Sequence, residues 1–250
     1  MQMFRYWKSL IILFLVTNFY SCQYNDQPAN KNIVGDSLIY KVEHKIKEKK
    51  RAQAYEEKQL SRDFFNKTEE YLPTIRKYSK RYGLDWRLIV SQILKESRFK
   101  ENAVSNQGAK GLMQIMPYTA GEITQELDYE YIFKDPRENI TAGIYHLYKQ
   151  LEYFPNADYE NRLKLALASY NCGPGRVFDA QDIAGFLFGK RNDWESVKVG
   201  LSKLTSKDWK LHLEVWPLGV PPNGYFYGYK ETINYVDDIF KTYRFLKKLY

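Results

Sequence analysis

The chain has 250 residues, 44% of them hydrophobic, enough for one folded domain with a real core plus appendages. Its formal net charge of +8 admits an anionic partner such as nucleic acid, a membrane surface or an acidic polymer, and charge alone does not choose among them. Aromatic residues make up 16%, led by 22 Tyr, a composition met in clefts that bind sugars or peptides and equally in half-buried packing.

The N-terminus narrows the choice. Arg5 and Lys8 precede Leu10 to Val16, an unbroken apolar run too short to span a bilayer and of the length of a signal-peptide h-region. Ser21 directly before Cys22 resembles the lipobox of bacterial lipoproteins, in which the chain is cleaved before the Cys and the thiol is lipidated. Phe19 and Tyr20 depart from the usual residues of that motif, and an uncleaved amphipathic anchor is the alternative. Either reading exports the chain and argues against nucleic acid as its partner. With Cys22 lipidated, Cys172 has no intrachain partner, so no disulfide framework is expected, and Cys172 reads as a small core residue rather than a nucleophile. Gln23 is not the Asp associated with inner-membrane retention in lipoproteins of some bacteria, which favours an outer-membrane lipoprotein facing the periplasm.

Residues 22–62 read as a polar and charged tether. Its basic cluster, Lys45 to Arg51, can touch anionic headgroups or wall polymer, or be a solvated face only. A folded domain is expected over residues 63–250. A first helix uses Tyr71, Leu72, Ile75, Tyr78 and Tyr82 and ends at Gly83. Asp85 then caps a helix from Trp86 to Arg98, with Trp86, Ile89, Val90, Ile93 and Leu94 on one side.

Glu96 falls about 20° from Ile89 on that helix, at the margin of the apolar stripe. A carboxyl group there is partly desolvated, and in the last turn the helix dipole opposes negative charge. Both effects raise its pKa and suit it to donate a proton near neutrality.

Asn102 to Gly111 is rich in turn residues, and Tyr118 to Leu127 reads as a short helix. Asp135-Pro136 starts another, carried through Ile140, Ile144, Leu147, Tyr148 and Leu151 and broken at Pro155. Arg162 to Tyr170 reads as a buried helix that stops at the turn Asn171 to Gly175. Residues 176–228 read poorly, with scattered Trp and an irregular loop marked by Pro217, Gly219, Pro221, Pro222 and Gly224. Glu231 to Leu249 closes the chain as an amphipathic helix, and few runs alternate, so the fold class is mainly α. His44, His146 and His212 lack partners at metal-ligand spacing, and no phosphate-binding Gly loop or nucleophile elbow occurs. That leaves acid–base chemistry by a carboxyl group as the main candidate.

Four blocks follow one another in order. They are Glu96-Ser97, then Gly108 to Pro117 with Gly111-Leu112-Met113-Gln114-Ile115-Met116, then Ala168 to Gly175 with Ser169-Tyr170-Asn171, and last Glu231-Thr232 with Tyr235-Val236. In this the chain resembles the soluble-lytic-transglycosylase-like family of peptidoglycan lytic transglycosylases, over about residues 63–250, and within it the catalytic module of the membrane-bound F type. Cys172 and Gly200-Leu201-Ser202 depart from the residues common there.

The resemblance implies a lysozyme-like domain with a cleft between helical lobes. It implies Glu96 as the catalytic acid and substrate-binding roles for Ser105, Gln114, Met116, Tyr170, Asn171 and Tyr235. No metal or other cofactor is implied. The partners would be peptidoglycan glycan strands and, through a lipid on Cys22, a membrane of the cell envelope. The activity implied is non-hydrolytic cleavage of the bond between N-acetylmuramic acid and N-acetylglucosamine, giving 1,6-anhydro ends. No second carboxylate stands in the matching blocks to act as nucleophile or base, as ordinary glycosidases require. A hydrolytic muramidase on the same fold and a non-catalytic wall-binding lipoprotein remain the alternatives. Trp216 and Tyr225 are further candidates for stacking on sugar rings.

Overall fold

Short polar side chains and prolines set where the helices begin. The structure is a computed structural model that describes residues 66–249; the apolar N-terminal run, Cys22 and the tether lie outside them. The chain divides into two units, Met1–Asn66 and Lys67–Tyr250, and the described residues belong to the second apart from Asn66. They form α1 (66–81), α2 (Trp86–Ser97), α3 (Pro117–Leu127), α4 (Pro136–Glu152), α5 (Tyr159–Cys172), α6 (Pro174–Phe188), α7 (Trp194–Ser202), a 3-10 turn (Ser206–Asp208), α8 (Trp209–Val215) and α9 (Tyr229–Leu249). Among the described residues the extended pairing is limited to two isolated antiparallel bridges, Val104 with Lys110 and Lys110 with Ile115. No helix among them is long and apolar enough to cross a membrane.

Asp85, Asp135, Asp158 and Asp193 each accept a first-turn backbone N–H, at the starts of α2, α4, α5 and α7. Each such cap contributes about 1 kcal/mol. Pro opens α3, α4 and α6, where its missing N–H costs nothing. Gly173, at φ 85°, is the single residue between α5 and α6, a backbone state that suits glycine.

The sequence predicts one apolar stripe on α2. The helix is instead enclosed on all sides: Leu88, Ile89, Val90, Ser91, Gln92 and Ile93 are buried in succession. It is the core helix of the domain, and α9 packs along it. At one end Tyr243 donates to Asp85 Oδ2 (3.0 Å), and at the other Lys95 pairs with Asp238 (2.7 Å). Burial pushes the Asp85 carboxyl up, but hydrogen bonds from Arg87 and Tyr243 outweigh it and hold the group below the usual carboxylate range. The helix ends at Ser97, one residue short of the predicted end. Arg98 and Phe99 both take left-handed φ, 52° and 58°, and the Phe99 side chain is fully buried. Two such residues in a row are uncommon outside Gly, and they turn the chain sharply into the loop that follows Glu96.

The region the sequence left unassigned, 176–228, is helical over much of its length. Its helices are short or, like the 15-residue α6, weakly amphipathic, and packing rather than pattern supports them. Asn223 pins the Pro-rich loop to α6, giving its backbone N–H to Asp179 Oδ2 (3.0 Å) and its amide to Asp179 Oδ1 (2.8 Å) and Gly175 O (3.1 Å). Helices α6 and α7 meet at Gly200, where an added Cβ would overlap the backbone carbonyl of Ala180. Gly to Ala inside a helix ordinarily gains about 1 kcal/mol. Here Gly200→Ala is expected to lose about 1–3 kcal/mol, because a backbone carbonyl cannot step aside. Gly121→Ala in α3, where nothing lies within 4 Å of the new atom, is expected to gain instead. Urea melts of the two variants check the opposite signs.

Candidate active site

Glu96 sits in the last turn of α2, half-buried, with protein packed closely round its carboxyl group. Tyr235 of α9, buried at 4% exposure, donates its hydroxyl proton to Glu96 Oε1 at 2.5 Å. The Tyr235 oxygen in turn accepts from Gln92 Nε2 at 3.1 Å, one turn earlier on α2. Burial raises the Glu96 carboxyl to about 7; the Tyr235 hydrogen bond and the neighbouring Lys95 pull it down but do not prevail. At neutral pH the group is therefore poised between its acid and base forms. With Oε1 accepting from Tyr235, the proton of the acid form is left to Oε2.

Tyr170 of α5 is close enough for the Glu96 charge to raise its own pKa, an effect smaller than that of its burial. Its hydroxyl donates to the Met113 carbonyl at 2.7 Å. The Met113 N–H, on the other side, donates to Asn139 Oδ1 of α4 at 2.8 Å. The Asn139 amide also gives hydrogen bonds to the carbonyls of Lys110 and Ile132, both at 3.1 Å. The loop after Glu96 is thus fixed from two helices. Gly111 is part of that fit, because a Cβ there would run into the Asn139 side chain.

The residues named from sequence divide into three groups. Glu96, Tyr170 and Tyr235 come together. Ser105 and Gln114 hold the loop: Ser105 Oγ accepts from the Ala109 N–H (3.0 Å), and Gln114, at a left-handed φ of 48°, donates its amide to Gly111 O (2.8 Å) and Ala103 O (3.1 Å). Met116 is exposed at the start of α3. Asn171 is exposed at the end of α5, where its Oδ1 accepts from Thr232 of α9 at 2.7 Å.

Gln92, Asn139 and His146 carry no site role in the sequence reading. Gln92 and Asn139 are polar and buried, and their partners lie far away in sequence. His146 has its ring 4.9 Å from that of Tyr170, and burial lowers its imidazole to about 4, so it is neutral there at pH 7. Trp216 does not offer a free ring: it is 7% exposed, packs on His212 and donates to Asp182 Oδ2 at 3.1 Å. Tyr225 is exposed at its edge and also faces His212. Cys172 is half-buried rather than a core residue, and burial pushes its thiol up to about 12, away from any nucleophilic role.

A helical domain with this ordering of elements is the lysozyme-like fold of lytic transglycosylases. At a TM-score of 0.50 it superposes on the 70 kDa soluble lytic transglycosylase of Escherichia coli, covering 71% of this chain and 24% of that one; at 22% identity the likeness is one of fold. Residues 73–191 match the Transglycosylase SLT domain, and the chain carries a domain of that family. It is 34% identical over 194 residues, 76% of its length, to a membrane-bound lytic murein transglycosylase F of Desulfosudis oleivorans. It is 32% identical over 184 residues, 72% of its length, to one of Histophilus somni. The chain spans 39% and 35% of the lengths of those two relatives.

Proposed function

We propose that the chain is a peptidoglycan lytic transglycosylase of the cell envelope, with Glu96 acting first as acid and then as base. The observation that carries this reading is the Glu96 carboxyl, raised to about 7 and tied at one oxygen to Tyr235, inside a domain of the SLT family.

Protonated Glu96 gives its proton to the glycosidic oxygen between N-acetylmuramic acid and N-acetylglucosamine, and the C1–O bond breaks. The acetamido oxygen of the muramic sugar stabilises the positive charge at C1. Glu96, now a carboxylate, takes the proton of the C6 hydroxyl as O6 bonds to C1. The product is a 1,6-anhydro end, no water is consumed, and Glu96 is again protonated. One group serves both steps because its pKa lies near the working pH. Among the described residues the groups that perturb Glu96 are Tyr235 and Lys95, with no carboxylate among them, which supports a single-carboxylate route over the paired one of ordinary glycosidases.

Tyr235 orients the acid, and Tyr170 and His146 line the space beside it. Ser105, Gln114 and Asn139 keep the loop in place, with Met116 and Asn171 at the exposed margin as sugar contacts. Cys22, through its lipid, tethers the enzyme to a membrane, with the outer membrane favoured, and residues 22–62 set its reach to the wall.

Digestion of purified peptidoglycan, with mass analysis of the released ends, tests the reaction. Anhydro ends, lighter by one water than reducing ends, are expected. Reducing ends would make the protein a muramidase. A protein that pellets with sacculi and releases nothing would be a wall-binding module.

A further inference from the structure

Gln92 occupies an unexpected place. It lies at the centre of the core helix, fully buried among Leu88, Ile89 and Ile93, where an apolar side chain would pack without cost. Its Nε2 donates to the Tyr235 hydroxyl at 3.1 Å, and among the described residues nothing bonds to its Oε1. A buried acceptor without a partner is destabilising. The amide therefore carries a standing cost that packing does not explain, and its one directed interaction is with the tyrosine that holds the acid.

We infer that Gln92 is a positioning residue for the reaction proposed above, setting the proton affinity of Glu96 through Tyr235. The three groups form one chain of bonds, Gln92 Nε2–H to Tyr235 O, then Tyr235 O–H to Glu96 Oε1. Donation into the phenol oxygen draws electron density from it and strengthens the hydroxyl as a donor, so successive bonds reinforce each other. The same bond fixes the rotation of the hydroxyl. A lone tyrosine could point its proton elsewhere; with an N–H occupying the oxygen from the α2 side, its proton is directed to Glu96.

The stronger donor favours the carboxylate and offsets part of the rise caused by burial. Gln92 is uncharged, so it does this without adding a fixed charge to the site. The other groups facing Glu96 are Tyr170 from α5, Tyr235 from α9, and Lys95 on its own helix, which is paired with Asp238 of α9. Of these groups, Tyr235 is the one bonded to the Gln92 amide.

The test is a mutant cycle in the full chain with Gln92→Met, Tyr235→Phe and the double variant. Met keeps the length and volume of Gln and removes the donor. Two readouts are taken: titration of the Glu96 carboxyl carbon by NMR, assigned by its loss in Glu96→Gln, and the pH profile of muropeptide release. Gln92→Met is expected to move the Glu96 titration and the basic limb of the profile upward by about 0.5–1 pH unit. Tyr235→Phe is expected to move them at least as far, and the double variant no further than Tyr235→Phe.

A purely structural Gln92 would lower stability but leave the titration in place, or shift it equally with and without the Tyr235 hydroxyl; either result overturns the inference. Should Gln92→Met not fold, Gln92→Leu takes its place in the cycle with the same expected shifts, and an unmoved Glu96 titration in Tyr235→Phe overturns the inference as well. A wild-type protein that releases nothing would remove the proposed activity and leave the NMR titration to judge the relay separately.

Discussion

Replacing Glu96 by Gln is expected to lower muropeptide release by about 10³-fold or more and, at the same time, to stabilise the protein at alkaline pH. The first effect follows from the double role of the group. A positioned acid or base contributes about 10²–10⁴-fold, and the carboxamide can do neither job. The second effect follows from burial. Folded Glu96 titrates near about 7 against an ordinary value of 4.5. Between those two values the folded state holds a proton that the unfolded chain has released, so stability falls as pH rises through that window and levels off above it. Gln has no such penalty and can still accept from Tyr235 through its Oε1.

Below pH 4.5 the variant should match the wild type, and above pH 7 it should exceed it by at most roughly 3 kcal/mol. Thermal melts at the two extremes, beside the activity assay, read both effects from one protein. A loss of activity without the alkaline gain would mean that Glu96 is not desolvated in solution, and the raised pKa would lose its basis. Activity equal to wild type would remove Glu96 from the chemistry altogether.

The parts of this site that could be read from sequence are those whose signal is local. Asp85 and Asp135 cap their helices through contacts two residues away, and both starts appear where the sequence places them. The stripe geometry of α2 put Glu96 at an apolar margin, and its raised pKa agrees with that placement. Gln92 escaped notice for the converse reason. Its meaning rests on Tyr235, 143 residues further on, and a lone Gln among Leu, Ile and Val carries no sign of which atom it faces. Helices α6 to α8 were missed because they are short or weakly amphipathic, and tertiary contacts such as the α6–α7 approach at Gly200 decide them. Trp216 looked like a sugar platform by residue type, but the partner of its indole N–H, Asp182, lies 34 residues away.

Asn139 is the position outside the acid whose loss should cost most. Its side chain makes three hydrogen bonds and is 2% exposed. Asn139→Ala leaves the buried N–H of Met113 and the Ile132 carbonyl without these partners, while the Lys110 carbonyl keeps the Ile115 N–H, and it opens a void where Gly111 approaches. An unpaired buried group costs about 1–3 kcal/mol, and relaxation of the loop offsets part of the sum. A loss of about 3 kcal/mol is expected.

Asn139→Asp separates the two functions of the side chain. It keeps the acceptor for Met113 but turns an acceptor towards the carbonyls of Lys110 and Ile132, so it should be no more stable than the Ala variant at pH 7 and should recover as the carboxyl is protonated in acid. Because Met113 also receives the Tyr170 hydroxyl, the damage reaches the site. Activity of folded Asn139→Ala, measured well below its melting temperature, should fall as the loop bearing Gln114 loosens beside Glu96. A variant with full stability and full activity would show that the loop is held by the helices alone, and that Asn139 merely fills the space beneath it.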